Sequence, residues 1–470
     1  MDIFTKTVVK IVVSIFLVVS ISCRDNAKIN STNGIWTQEG YGRIIQISDS
    51  TYTYFNITEN SCLPLVGGKL KERFKIVRLK NNKLVLNPGG IVDYHFVRSG
   101  TLPVTCNQQN AEINKSAEKN FGVFWNTFNE HYAFFEKRNI NWTKVKEKYL
   151  PIVKTISSDK ELYKLFIEIL QQFDDGHIKL DVPYSISTDS TKKQIVEIQK
   201  SKSDIKANIL NEYVSDPKSY NNGVIQWGDL KNSNIGYILI SDMNDFSSYV
   251  SATNLSGKEF QEAYDKNLQT KSAIERFSDE MAGVDYVMTR ILKDLSNSKS
   301  ILIDLRFNNG GYETVALKLL SYFVDRPKHI LSIKSKKGNG FTEEQKYVLR
   351  PSKNIYDGPV FLLTSNQTAS AAEIFALGAL AYPKIKSYGS STAGIFSEIL
   401  WKNLPNGWEF SLSNEIYSDP QGNEYETIGV PVNYNMDYPE NINDFYDSFY
   451  VNSDFKDLTI EKIWSSLKKK

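Results

Sequence analysis

From Gly34 to about Cys106, apolar and polar residues alternate in short runs: "GRIIQISDSTYTYFNI", "FKIVRLKNNKLVLN" and "IVDYHFVRSG". A period of two is that of strands with one buried face. Asn, Asp and Gly separate the runs, and "KNNK" has the composition of a hairpin turn. Residues 34–106 are therefore predicted to form a small all-β domain. Past Asn107 the period lengthens. Phe121, Phe124, Trp125, Phe128, Tyr132 and Phe135 recur at helical spacing in "NFGVFWNTFNEHYAFFEKRNINWTKVKEKYLPIV". Ser158 and Glu161 form an S-x-x-E capping box that opens a second helix, "LYKLFIEILQQF". Alternation returns in "DDGHIKLDV", where His177, Lys179 and Asp181 oppose Ile178, Leu180 and Val182. Residues 107–182 read as a helical domain ending at this junction. Residues 183–233, rich in Ser, Lys, Asp and Asn, have the weakest pattern and read as a linker or small irregular insertion.

The remainder to residue 445 alternates strands and helices. "IGYILI" (235–240), "SILIDLRF" (300–307) and "GPVFLLT" (358–364) are continuous apolar runs, as in parallel strands covered on both faces. Helices are expected at about 257–296, 313–324 and 370–381, with later strands in "KIKSYGS", "WEFSLSN" and "NEIYSD". Residues 446–470 read as a helical tail. The fold class is multidomain α+β: an N-terminal β domain, a helical segment, and a C-terminal α/β domain over 234–445.

Composition changes this picture little. Hydrophobic residues at 41% give ample core material, and 56 Lys plus Arg against 54 Asp plus Glu leave a net charge of +2. That balance points away from a nucleic-acid partner. The amino terminus stands apart from the fold. Lys6 and Lys10 precede an apolar core from Ile11 to Val19, then "SISC", too short an apolar run to span a bilayer. Residues 1–22 read as a secretory signal. Cys23 resembles the lipidated first residue of a bacterial lipoprotein, although Ser20 stands where that motif usually carries an aliphatic residue. An ordinary cleaved signal is the alternative. Under the first reading, residues 23–33 are a lipidated tether and the protein belongs to the cell envelope, membrane-anchored. Export would also permit a disulfide between Cys62 and Cys106; two cysteines carry no spacing code, and free thiols remain equally open. No Cys/His cluster has metal-ligand spacing, and no cofactor is expected.

Two stretches can carry chemistry. In "TSNQTASAAEIFALGALA" (364–381), Ser370 sits at a helix start with Glu373 three residues on, so it reads as a capping box or as a nucleophile at the positive helix end. In "DLRFNNGGYETV" (304–315) a buried strand turns through Asn308-Asn309-Gly310-Gly311, where glycines let N–H groups face a site. Asp304 and Arg306 share a strand face and could pair. A serine nucleophile needs a base. Of four histidines, His95 lies on a β-domain strand, His131 on the aromatic helix and His329 in a turn after "DRPK". His177, at a helix-to-strand junction, is the best candidate, with an ordinary loop histidine as its alternative.

In order along the chain, "LQQFDDGHIKL", "ILIDLRFNNGG", "TSNQTASAAEIFA", "YGSSTAG", "LPNGW" and "ETIGVPV" resemble the tail-specific, or C-terminal processing, serine peptidases. With the "FNEHYAFFEKRNINWTKVKEKY" opening the resemblance covers about residues 115–435. It implies a ClpP/crotonase-like catalytic domain, Ser370 as nucleophile, and an oxyanion hole from Ala371 and the Gly310-Gly311 turn. Members with a Ser–Lys dyad carry lysine shortly after "T-x-G"; here Ile395 follows Gly394. The tricorn-like branch instead uses a histidine of the "D-x-H" block and a glutamate before "G-[VI]-P", here His177 and Glu426. Gly176 stands where that branch can place an auxiliary serine, and no PDZ-like segment is visible in 183–233. The resemblance implies a serine endopeptidase acting on peptides or proteins; a neighbouring carboxylate such as Glu426 would favour the charged imidazole and raise its pKa. An inactive, peptide-binding relative is the first alternative and a thioester hydrolase on the same architecture the second. Oligomeric state and cleavage preference are not legible.

Overall fold

Turn chemistry and alternation build the first domain as expected. Seven antiparallel strands pair in the spatial order Ser61–Lys69, Thr51–Thr58, Arg43–Ser48, Gly34–Gln38, Tyr94–Ser99, Lys83–Asn87, Lys75–Lys80. The last two are joined through Asn81 and Asn82, both at positive φ (49° and 60°), the conformation a two-residue hairpin requires. One face buries Trp36, Ile45, Tyr54, Leu84 and Phe96. Cys62 and Cys106 are joined in a disulfide with Cα atoms 5.0 Å apart. This computed structural model describes residues 32–106, 115–187, 201–250 and 255–468. The expected signal segment 1–22, Cys23 and most of the expected tether lie outside the described residues. Among the described residues, no helix is long and apolar enough to cross a membrane.

The helical domain has three main helices, Ala117–His131, Trp142–Val153 and Asp159–Leu170. Their first turns are capped by the side chains of Ser116, Asn141 and Ser158. The aromatic stripe is core. Phe124 stacks on Phe166 at 4.5 Å between ring centroids, and Phe128 on Phe410 at 5.9 Å. Phe410 belongs to strand Glu409–Ser413 of the α/β domain, so this core fastens the helical domain to it.

The α/β domain is organised on a second seven-stranded sheet. Five of its strands run parallel, in the spatial order Tyr434–Asn435, Ile385–Gly389, Val360–Thr364, Ser300–Asp304, Ile235–Ile240. Beyond Ile235–Ile240, the strands Ile225–Leu230 and Val214–Tyr220 continue the sheet antiparallel to its edge. The expectation of a linker or irregular insertion over 183–233 is therefore corrected for its described second half, where helix Lys202–Tyr213 leads into these two strands. The pattern there is weak because the helix buries only Ile205, Ile209 and Leu210, and the edge strand Val214–Tyr220 is exposed along most of its length. The helix expected over 257–296 is two, Gly257–Leu268 and Ala273–Asp294, the second restarted by a Ser272/Glu275 capping box.

On one sheet face the helices Ala273–Asp294, Glu313–Leu320 and Ala371–Ala379 share a large apolar core. On the other, the C-terminal segment packs Phe445, Phe449, Ile460 and Ile463 against Tyr237, Leu302 and Phe307. Arg306 is fully buried and pairs with Asp304 (2.5 Å) and Asp457 (2.7 Å), which ties the tail to the strand end just before the Asn308–Gly311 turn.

Candidate active site

The strand Val360–Thr364 is buried throughout and ends in "SNQTAS". The short polar residues of this turn stitch it to the neighbouring strand end. Ser365 Oγ donates to the Arg306 carbonyl (2.6 Å), Thr368 Oγ1 to the Leu305 carbonyl (2.8 Å), and the Ala369 N–H to the Asn308 carbonyl (3.0 Å). Ser370 follows at φ 54°, ψ −125°, a backbone conformation costly for a residue with a Cβ, and the helix Ala371–Ala379 starts immediately after it. Strand, strained serine and helix give the geometry of a nucleophile elbow, in which the turn lifts the hydroxyl clear of the backbone.

Ser370 and Glu373 keep the arrangement of the expected capping box. Glu373 accepts the Ser370 N–H (3.1 Å), and the Glu373 N–H, which faces the serine side chain, makes its short hydrogen bond to the Ser370 carbonyl (2.8 Å). Against this serine lies Gly310, at φ 107°; a Cβ there would stand 2.7 Å from Ser370 Cβ and 3.0 Å from Ala371 N. The Gly310 N–H is committed to Asn308 Oδ1 (2.8 Å), while Asn308 Nδ2 donates to the Ile240 carbonyl (3.0 Å). This corrects the expectation that Gly310 supplies a free oxyanion donor: the asparagine uses that N–H to shape the turn. Among the described residues, the N–H groups of Gly311 and Ala371 donate no hydrogen bond within the protein.

His177 lies on a turn held by the strand Glu409–Ser413. Ser411 Oγ donates to the His177 carbonyl (2.7 Å) and accepts the Lys179 N–H (3.0 Å). Asp175 Oδ1 accepts the His177 N–H (3.0 Å). The imidazole is 6% exposed and its Nδ1 has no hydrogen-bond partner. Burial pulls its pKa down to about 4, against the opposing pull of Asp175; Lys179 and Arg138 add to the lowering. The expected rise caused by Glu426 is thus replaced by a net lowering, because desolvation of the cation outweighs the pull of Asp175 and of the Ser397 backbone.

Glu426 is 3% exposed. Its Oε2 accepts the Phe396 N–H (2.8 Å) and its Oε1 pairs with Arg138 Nη2 (3.2 Å). Burial pushes this carboxyl up to about 7, with the Phe396 N–H and Arg138 pulling the other way. The segment 392–397 joins the parts. Glu373 accepts Thr392 Oγ1 (2.5 Å) and the N–H groups of Gly394 (2.7 Å) and Ile395 (2.8 Å). Burial raises its pKa to about 7 against these donors. Ile395 meets the histidine turn, where a Cβ on Gly176 would lie 2.9 Å from Ile395 Cδ1. Gly176 and Ile395, the two departures from the motif, are therefore neighbours in space.

The structure brings the blocks carrying Ser370, His177 and Glu426 together through this segment. It forms no hydrogen bond from Ser370 to His177, or from His177 to Glu426. His131 is buried against Gly42 with neither ring nitrogen hydrogen-bonded, its Nε2 lying 3.6 Å from Glu130 Oε2, and His329 Nε2 contacts Ser332 Oγ (2.9 Å). Lys384 Nζ donates to the Tyr356 carbonyl (3.1 Å). Sequence reasoning missed Arg138 altogether and read Glu373 only as a cap. Among the described residues there is no cluster of His, Cys, Asp and Glu able to hold a metal ion.

Residues 234–436 match the model of peptidase family S41, and residues 113–171 that of the tricorn protease C1 domain. A protein of Staphylococcus aureus (strain bovine RF122 / ET3-1) described as a CtpA-like serine protease is 26% identical over 169 residues, 35% of this chain and 34% of that protein. One of Staphylococcus haemolyticus (strain JCSC1435), described in the same words, is 34% identical over 122 residues, 26% of this chain and 24% of its own. The matched stretch thus spans about a third or less of these relatives' length. A solved peptidase structure from Parabacteroides merdae ATCC 43184 shares the fold, with a TM-score of 0.56 at 21% identity, covering 75% of this chain and 97% of that one. Residues 234–436 of this chain are accordingly similar to the peptidase family S41 domain, and residues 113–171 before them to the tricorn protease C1 domain.

Proposed function

We propose that the protein is a serine endopeptidase in which Ser370 is the nucleophile, His177 the base and Glu426 the orienting acid. The observation that carries this reading is the strained Ser370 turn, at φ 54° and ψ −125°, set against Gly310 at a helix N-terminus. Ser370 Oγ attacks the scissile carbonyl carbon as its proton passes to His177. The N–H groups of Gly311 and Ala371, aided by the positive helix end, hold the oxyanion. His177 then gives the proton to the leaving amine, and water attacks the acyl-enzyme by the same route. Burial keeps the imidazole neutral near pH 7, the form able to take a proton. A missing Ser–His hydrogen bond in an unliganded site is compatible with this role, since such bonds often tighten only with substrate bound.

The test is covalent labelling with a fluorophosphonate, alongside hydrolysis of fluorescent casein. Labelling of the wild type, absent in Ser370→Ala and slowed by several powers of ten in His177→Ala, is the expected result. A folded wild type that neither labels nor cleaves would favour the peptide-binding alternative instead. For the envelope, the "SISC" stretch supports a lipoprotein anchored through Cys23, in a protein exported by its signal segment. Mass spectrometry of the mature amino terminus decides this: an unmodified terminus at or beyond Cys23 would refute the anchor.

A further inference from the structure

Arg138 lies outside the proposed triad, yet it is buried within the same cluster. It belongs to a tight turn after the aromatic helix, where the Arg138 N–H donates to the Phe134 carbonyl (3.1 Å) and the Ile140 N–H to the Phe135 carbonyl (2.9 Å). Its side chain is 6% exposed and spans two carboxylates from different parts of the chain. Nη2 donates to Glu426 Oε1 (3.2 Å), and Nε stands 3.7 Å from Asp175 Oδ2, an ion-pair contact without a hydrogen bond. Tyr132, from the end of the same helix, donates its hydroxyl to Asp175 Oδ2 (2.9 Å).

We propose that Arg138 is a positioning residue of the hydrolytic site, its guanidinium clamping Glu426 to Asp175 and so fixing the acid beside the turn that carries His177. The inference rests on the triad reading above. A planar guanidinium suits this task, because its fork can engage two carboxylates at once, whereas a lysine is a point charge. Both Glu426 oxygens are engaged, one by Arg138 and one by the Phe396 N–H. Where that carboxylate stands relative to the unpartnered His177 Nδ1 is therefore set by the clamp.

The clamp also carries charge. His177 is faced by Asp175, Lys179 and Arg138, and Glu426 by Asp175, Arg138 and Glu373. Arg138 favours ionised Glu426 and neutral His177, the pair of states the mechanism needs. Without its positive charge, Glu426 would hold its proton to higher pH and His177 would become easier to protonate. Both changes move the acidic limb of reactivity upward.

The experiment follows the second-order rate of fluorophosphonate labelling of Ser370 against pH in the full chain, which needs no known substrate. Arg138→Gln should raise the midpoint of the acidic limb by about one pH unit, hence roughly ten-fold slower labelling below it. Arg138→Lys should keep the midpoint near that of the wild type but lower the high-pH plateau about ten-fold, because a point charge cannot span both carboxylates. An unmoved limb in folded Arg138→Gln overturns the proposal. Losing one partner of a buried pair is costly to folding, so Arg138→Lys provides a second criterion: a wild-type plateau in that variant also overturns it. Wild-type and His177→Ala controls separate this failure from that of the triad reading. If the wild type does not label, or His177→Ala labels equally fast, it is the triad that fails.

Discussion

Replacing Glu373 by glutamine changes almost no volume, so its effect is confined to charge and hydrogen bonding. The carboxylate receives four donors: Thr392 Oγ1 and the Gly394 N–H on one oxygen, the Ser370 and Ile395 N–H groups on the other. A glutamine keeps one accepting oxygen and presents an NH2 in place of the other. In the better orientation, the oxygen still serves Ser370 and Ile395. Thr392 can turn its hydroxyl to accept, as it already does from the Val430 N–H (2.7 Å). The Gly394 N–H cannot reverse, and it is left buried against another donor. One such orphan costs about 1–3 kcal/mol. The expected result is therefore a loss of about that size in denaturant unfolding, well short of the three orphaned N–H groups that Glu373→Ala would leave. Labelling of Ser370 should slow by more than about ten-fold, because the displaced segment carries Ile395 against Gly176 and the Phe396 N–H against Glu426. Wild-type stability together with a wild-type labelling rate would refute the claim that this carboxylate joins the serine turn to the histidine turn.

Two further substitutions probe different parts of the molecule. Gly310→Ala puts a Cβ 2.7 Å from Ser370 Cβ and 2.9 Å from the Ala369 carbonyl oxygen at a φ of 107°, so it should reduce Ser370 labelling by about 100-fold or more and lower stability by about 1–3 kcal/mol; a labelling rate within a few-fold of wild type would contradict the close approach. Replacing Cys62 and Cys106 together by serine opens a cross-link of sequence separation 44 and should cost about 2–4 kcal/mol in denaturant unfolding while leaving Ser370 labelling near wild type, since the bridge lies in the β domain; unchanged stability would argue against the disulfide.

Features written in neighbouring residues were legible in the sequence. The Asn81–Asn82 turn follows from two residues that tolerate positive φ, and the strands Ile235–Ile240, Ser300–Asp304 and Val360–Thr364 follow from unbroken apolar runs. The strand Val214–Tyr220 was not legible, because an edge strand that exposes most of its residues has no buried face to impose a pattern. Arg138 was hidden for a different reason. In "EKRNINW" nothing distinguishes an arginine destined for solvent from one buried against Asp175 and Glu426, the latter 288 residues away. Its role is defined only by long-range packing.

The S-x-x-E stretch lies between these extremes. As local text it announces a helix start, and a helix does start at Ala371. The capping reading then assigns the serine oxygen and the glutamate carboxylate to that helix's own first turn. The fold keeps that arrangement and adds to it. Besides accepting the Ser370 N–H, the carboxylate reaches outward to Thr392, Gly394 and Ile395. Burying a glutamate completely is expensive unless donors surround it, and segment 392–395 supplies them. A motif that reads as helix initiation thus also ties the serine turn to the segment packed against the histidine turn, and that segment lies 19 to 22 residues downstream of the glutamate.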